Sequence, residues 1–332
     1  MRLGIGPLEF GIREGVELAR AAEAAGLDSV WSSQPSGYVR IAAYAVETER
    51  VRLGTAAIVQ PLAHPVVHAS SARDLAELSG GRAIIGYGSG VKPQLNRFFG
   101  IHGDQAEHAA PRMREFLQLV RALLTAEEPV RWDGRFFQMQ AGRPAPCEFA
   151  VPLYLAAVNL HALRVAGDAA DGLIGHPINS VPYLRQTVRP VIEERLAARG
   201  LTAEDFDFTS DVITVIDDDP VRARRDAAAN LGFYLSPRVF DCIFDAAGWE
   251  PEKTQVREAF RRGTLDDVAD AISDRMLEVS CLYGTAQEVR DQLGRYEGLL
   301  DQVVLFAPRQ AIPHERHLAN YRKLIEAFAR SN

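Results

Sequence analysis

Val51-Arg-Leu-Gly-Thr-Ala-Ala-Ile-Val59 and, one helix later, Arg82-Ala-Ile-Ile-Gly-Tyr-Gly-Ser-Gly90 are the segments whose reading decides the fold. After Arg52 the first is almost continuously apolar. A strand with one wet face alternates; a strand covered on both faces does not, and that is the mark of a parallel sheet flanked by helices. Ala63 to Leu78 between them reads as a helix stopped by Ser79-Gly80-Gly81.

Towards the N-terminus the same alternation holds. Leu3 to Gly6 is a strand, Ile12 to Ala25 a helix ending before Gly26 at the C′ position, Asp28 to Ser33 a strand, and Tyr38 to Glu49 a helix. Towards the C-terminus it breaks at Val91–Ala109 and recovers with an amphipathic helix from Pro111 to Leu124. Val130 to Phe137 predicts a β-hairpin turning at Asp133-Gly134. Strands then follow at Val151–Ala157, Gly172–Gly175, Phe208–Ile216 and Leu299–Phe306. Helices are expected at Leu160–Ala169, Val181–Arg199 and Val221–Leu231. Gly232 to Ser280 reads as irregular and mostly helical, Thr285 and Glu288 form a capping box, and Leu318 to Phe328 closes the chain as a helix.

Eight βα units point to a closed (β/α)8 TIM barrel. The competing doubly wound sheet lacks support, because no Gly-x-Gly-x-x-Gly follows the first strand. We expect one domain over residues 1–332, with insertions after strand 4 (about 91–109) and strand 7 (about 232–282).

Composition narrows the function classes. The chain has 332 residues, 47% hydrophobic and 24% charged, with a net charge of −7. An acidic balance argues against a nucleic-acid partner. No apolar run approaches the ~18 residues of a membrane span, and Met1 to Glu9 lacks the ~7-residue apolar core of a signal peptide. Cys147, Cys242 and Cys281 form no Cys-x-x-Cys or Cys/His cluster. Reduced thiols in a cytoplasmic protein are expected.

A (β/α)8 barrel carries its site at the C-terminal ends of the strands. These ends offer Ser32, Ser33 and Gln34; Ile58, Val59, Gln60 and His64; Gly88, Ser89 and Gly90; Val158, Asn159, Leu160 and His161; and His176. Asn159 can cap the following helix, whose first amides would suit a phosphate, though capping alone explains it. His64 and His68 stand at i, i+4, a zinc-compatible spacing, but no third ligand is evident, and we expect no metal. No nucleophile elbow or Ser-His-Asp order is present. Chemistry supplied by a cofactor is the reading left.

Several motifs carry a family likeness. Ala25-Gly-Leu-Asp-Ser-Val-Trp31, Glu49-Arg-Val-Arg-Leu-Gly-Thr55, Leu78-Ser-Gly-Gly-Arg82 leading into Gly86-Tyr-Gly-Ser-Gly90, Trp132-Asp-Gly-Arg-Phe-Phe137, Ala166-Gly-Asp-Ala-Ala-Asp-Gly172 and Tyr283-Gly-Thr-Ala-Gln-Glu288 resemble the bacterial luciferase-like monooxygenase superfamily, in order and nearly end to end. Within it the chain looks most similar to the branch using the deazaflavin coenzyme F420, including methylenetetrahydromethanopterin reductase. The resemblance implies a dimeric TIM barrel with the cofactor in its mouth. It also implies a non-prolyl cis peptide matching Ala57–Ile58, a phosphate loop matching Val158 to Ala162, and a glycine-rich loop matching Gly88 to Gly90. Two departures stand out: Ser33, Gln34 and Pro35 occupy the place of an acidic residue often followed by His, and Asn159-Leu160 stands for Gly-Pro.

What the likeness implies is hydride transfer between F420 and a small organic substrate. His176, His64 and Glu9 are the candidate proton donors, and Gln34 could orient. Ser33, Ala57, Ile58, Gln60, Gly88, Ser89, Gly90, Val158, Asn159, Leu160, His161 and Ala162 would line the cofactor, with Lys92 and Arg97 near its acidic tail. Phe98, Phe99, Phe233, Tyr234, Phe240 and Phe244 suggest an apolar wall for the substrate, or core or dimer packing. The alternatives are a reduced-FMN monooxygenase served by a separate flavin reductase, and a non-catalytic flavin-binding barrel.

Overall fold

The computed structural model describes residues 1–8, 10–33, 37–103, 107–143, 145 and 147–330. The first half runs β1 (Arg2–Ile5), α1 (Ile12–Ala24), β2 (Ser29–Ser32), α2 (Tyr38–Ala45), β3 (Arg52–Thr55), β4 (Ile58–Val59), α3 (Pro65–Leu78), β5 (Ala83–Gly88), α4 (Lys92–Phe98), α5 (Ala109–Thr125), β6 (Val130–Asp133) and β7 (Gln138–Ala141). The second half runs β8 (Leu153–Ala156), α6 (Leu160–Ala169), β9 (Gly172–Gly175), α7 (Val181–Tyr183), α8 (Arg189–Ala198), β10 (Asp207–Ile216), α9 (Pro220–Leu235), α10 (Asp241–Ala247), α11 (Glu250–Arg262), α12 (Leu265–Asp270), α13 (Asp274–Ser280), β11 (Cys281–Gly284), α14 (Ala286–Gln292), β12 (Gln302–Phe306) and α15 (His314–Ala327).

All barrel pairings are parallel. Their order is β1-β2-β3-β5-β8-β9-β10-β12, and β12 returns to β1, closing eight strands into a TIM barrel. Closure follows from the apolar runs of the barrel strands, most of whose residues are buried on both faces. The outer face packs on the helices; on α5, Met113, Phe116, Leu117, Val120 and Leu124 are buried as the stripe predicts.

The barrel interior is plugged at mid-height. Trp31, fully buried, packs with Ile84, Tyr154, Ile174 and Val304. Its ring needs room. A Cβ on Gly54 would stand 2.1 Å from the indole, and one on Gly86 would stand 2.0 Å from Ile174 and 2.1 Å from the Thr55 carbonyl. Below the plug, Trp31 donates to Ser29 Oγ at 2.8 Å, and the Gln302 amide donates to the same oxygen. At the N-terminal end, Asp207 accepts from Arg2 and Tyr154, each at 2.6 Å, and from Thr209 at 3.0 Å, with Arg52 at 3.7 Å.

The structure corrects several sequence expectations. The third strand is broken rather than continuous from Val51 to Val59. Gly54 pairs with Ile84 and Ile58 with Tyr87, so four steps on one strand face three on β5. One extra residue must bulge out. Thr55 bridges the gap, its Oγ1 accepting from the Gly86 amide at 2.8 Å and donating to the Gly86 carbonyl at 3.0 Å. The cis peptide therefore lies at Ala56–Ala57, one residue before the Ala57–Ile58 bond expected, because Ile58 has already rejoined the ladder.

The hairpin turns over Gly134–Phe137 rather than tightly at Asp133-Gly134. The Glu115 carboxylate on α5 receives the amides of Phe136 and Phe137 and the Trp132 indole, which fixes the wider loop. The expected helix Val181–Arg199 contains a π turn over Leu184–Val188. Pro190 has no amide to give and its ring crowds the preceding turn, so the ladder slips there. The first insertion is not all loop, since α4 forms in it. The second ends in β11, a ninth parallel strand on the outer part of β10 that the sequence reading treated as the approach to a helix. Thr285 and Glu288 do form their capping box.

Candidate active site

Above the Trp31 plug the inward side chains shrink. Ala56, Ala57 and Ala156 pack against the plug from above. A Cβ on Gly88 would meet only the methyls of Ala57 and Ala156, at 3.6 and 3.7 Å. The mouth on the β3–β4, β5 and β8 side is thus a flat floor of methyls and backbone.

Next to that floor lies a cavity of about 370 Å³, lined by Ser89, His108, Pro111, Leu155, Asn159 and His161 among others. Two helices, α5 and α6, point their N-termini at it. Asn159 Oδ1 accepts the Ala162 amide at 3.0 Å, so the side chain caps α6 as the sequence suggested. The amides of Leu160 and His161 are left on the first turn, where the helix dipole favours an anion. Val158 contributes its carbonyl to Tyr183 Oη at 2.5 Å.

The opposite wall carries the titratable groups. Around the ring of eight strands, β10 stands four places from β3. His176, half-buried at the end of β9, packs on Phe240 at 4.8 Å and on Tyr234 at 5.4 Å between centroids. Its Nδ1 is shut from solvent and has no partner among the described residues. Burial pushes its pKa down to about 4, so at neutral pH the ring is uncharged. It can offer a neutral N–H but is a poor cationic acid there. Asp211, which the sequence reading did not single out, points inward from β10. Its register partner Val304 belongs to the plug, and a Cβ on Gly6 would come within 3.6 Å of its Oδ1. Burial raises this carboxyl to about 7. The available signal was a lone acid inside the apolar run Phe208–Ile216.

The other expected site residues scatter. Glu9 and Gln34 lie outside the described residues. Ser33 directly follows β2, half-buried. Ile58 turns its side chain to the outer core, not to the mouth, because the bulge at Ala56–Ala57 resets the strand's facing. Gln60 is buried in a single turn, its carbonyl 3.0 Å from His68 Nε2. His64 is exposed and caps α3, its Nδ1 accepting the Val66 amide at 3.3 Å. His68 is buried between barrel and helices against Tyr38, at 2.7 Å, and the pair does not converge. Among the described residues no three His, Cys, Asp or Glu are placed to hold a metal, and no helix is long and apolar enough to cross a membrane.

Gly90 turns at φ +72°. Lys92 pairs with Glu107 at 3.1 Å, and Arg97 lies over the exposed Phe98 ring. Of the expected aromatic wall, Tyr234 and Phe240 reach His176, while Phe244 is fully buried core.

The luciferase-like monooxygenase family model matches residues 2–302. The chain belongs to this family. A putative coenzyme F420-dependent oxidoreductase of Mycobacterium tuberculosis is 28% identical over 306 residues, covering 85% of this chain and 86% of the relative. The solved coenzyme F420-dependent tetrahydromethanopterin reductase of Methanopyrus kandleri superposes with a TM-score of 0.81 at 22% identity, over 98% and 99% of the two chains. The oxygenating constituent of 3,6-diketocamphane monooxygenase from Pseudomonas putida, in complex with FMN, gives 0.71 at 17% identity, over 99% and 98%. The luciferase-like barrel thus serves both cofactor types, and fold alone does not choose between them.

Proposed function

We propose that this chain transfers hydride between coenzyme F420 and a small organic substrate at the C-terminal mouth of the barrel. The observation that carries the reading is the flat floor of Ala56, Ala57, Gly88 and Ala156 over the Trp31 plug. A planar tricyclic ring fits such a floor, and a larger side chain at any of these positions would fill it. The relative named for F420 favours the deazaflavin.

The bound deazaflavin would supply two-electron hydride chemistry. The chain's own groups do the rest. Ala57, Gly88, Ser89, Gly90 and the half-buried Ser33 border the ring. The first-turn amides of α6, with Val158, Asn159, Leu160, His161 and Ala162, hold the phosphate end beside the 370 Å³ cavity. Tyr234 and Phe240 exclude water from the substrate side, and His176 gives a neutral N–H to a substrate oxygen. Glu9, Gln34 and the rim residue His64 stay in the proposed set. A cytoplasmic homodimer belongs to the same reading.

Parallel fluorescence titrations of the purified chain with F420 and FMN test it. Micromolar or tighter F420 binding with weak FMN binding is expected. Preferential FMN binding would overturn it in favour of a reduced-FMN monooxygenase fed by a flavin reductase.

A further inference from the structure

Hydride transfer to or from a polar bond needs a proton partner, and the usual places for one are poorly served here. The segment after β2 carries Ser33, Gln34 and Pro35, none of which titrates near neutrality. His176 is held neutral, and His64 is an exposed helix cap. Asp211 is different in kind. It projects into the barrel interior one step beyond the last β9–β10 pair, Gly175 with Ser210, so it stands beside His176. It sits above Thr209, whose hydroxyl is committed to Asp207 at the closed end. It is 7% exposed, and among the described residues no hydrogen bond reaches its carboxylate. On the β1 side it faces Gly6, which puts no side chain against it; a Cβ there would stand 3.6 Å from its Oδ1 and 3.2 Å from Val304.

We propose that Asp211 is the group that exchanges a proton with the substrate, facing across the barrel mouth towards the Ala56–Ala57 floor. The proposal rests on the hydride-transfer reading above. In carbonyl reduction the hydride of the reduced deazaflavin adds to the carbonyl carbon and the C=O π pair moves to oxygen. That oxygen takes the proton of the Asp211 carboxyl, and the carboxylate left behind recovers a proton from solvent. Alcohol oxidation runs the same steps backwards. Burial keeps the carboxyl protonated up to about pH 7, which matches the task of a general acid. The groups facing it are Tyr321 on α15, which is in electrostatic reach of both Asp211 and Tyr234 on α9, and His176 at the end of β9.

The test uses the full chain labelled with 13C-carboxyl aspartate. One carboxyl resonance, absent in Asp211→Asn, is expected to titrate near pH 7 and to move when F420 is added. With reduced F420 and cyclohexanone as probe, Asp211→Asn is expected to slow turnover about 100-fold. It should also erase the limb of the pH profile near 7 and leave F420 affinity within about threefold, while Asp211→Glu restores part of the rate. Titration of that carboxyl in the ordinary aspartate range, or an Asn variant that keeps both rate and pH limb, overturns the proposal. Failure of the unsubstituted chain to take up F420 sinks the hydride reading instead, and the two failures are therefore distinct.

Discussion

The two ends of this barrel treat their buried acidic groups in opposite ways. The N-terminal end has the larger cavity, about 840 Å³, rimmed by Asp171, Asp207 and Asp301. Each of those carboxylates is engaged: Asp171 with Arg121 and the Leu153 amide, Asp207 with Arg2, Tyr154 and Thr209, Asp301 with the Phe208 amide. The mouth has the smaller cavity, yet Asp211 and His176 Nδ1 stand unpaired among the described residues. A satisfied carboxylate stabilises a fold. An unsatisfied one costs stability and persists where chemistry uses it. Cavity size therefore misleads here, and hydrogen-bond satisfaction points to the working end.

Substitutions that break each end should separate the two roles. The largest effect is expected at the closed end. Asp207→Leu removes the carboxylate that Arg2 and Arg52 share, leaves Arg2 only the more distant Asp301, and leaves Tyr154 without its acceptor. Because both guanidinium groups are about a third exposed, we expect a loss of about 3 kcal/mol rather than the upper end of the buried-pair range. Denaturant unfolding reads it, and F420 affinity of the folded fraction should be unchanged.

At the boundary between the ends, Thr55→Val removes the hydroxyl that bridges the bulge and leaves two Gly86 backbone groups without it. About 2 kcal/mol is expected, and Thr55→Ser should recover most of it. An equal loss in both variants would mean that packing, not bridging, is what Thr55 supplies. At the mouth, Ala156→Leu should weaken F420 binding at least about tenfold, or ~1.4 kcal/mol, with little change in unfolding midpoint, since it fills space left open for a ligand. A fall in stability with intact binding would place the cofactor elsewhere.

The smallest effect is in the pH dependence of stability. His176 has a folded pKa near 4, below its unfolded value near 6.5, so the unfolded chain binds more protons between those values. Stability is therefore lost as pH falls from about 6.5 to about 4. Asp211 runs the other way. Its folded value near 7 lies above the unfolded value near 3.9, so stability is lost as pH rises through that window. The two windows overlap and their slopes oppose each other, so melting temperatures measured from pH 4 to pH 8 should show His176→Phe leaving a stability that falls as pH rises and Asp211→Asn leaving one that rises with pH to about 6.5. Unchanged slopes in both would show that neither group is buried as described.

Much of this was legible in the residues. The almost continuously apolar run after Arg52, as far as Val59, read as a strand covered on both faces, and Asn159 read as a cap with free amides behind it. Ile58 was misplaced because a bulge changes facing without changing composition. Nothing in Ala-Ala-Ile says which residue is extra; the count against β5 does. The hairpin was misjudged for a similar reason, since Glu115 lies well before the turn it shapes.

The sequence by itself determined the alternation of strands and helices, and so the closed barrel, because hydrophobic periodicity acts over a few residues and survives in any context. Only the tertiary structure decided the rest. It set Trp31 as the plug, made the alanines above it a floor, and brought Asp211 opposite Ala56 and Ala57 from a strand more than 150 positions away in the chain. Burial and unpaired polarity are properties of the assembled interior, where the cost of a lone carboxyl depends on what the other strands put beside it.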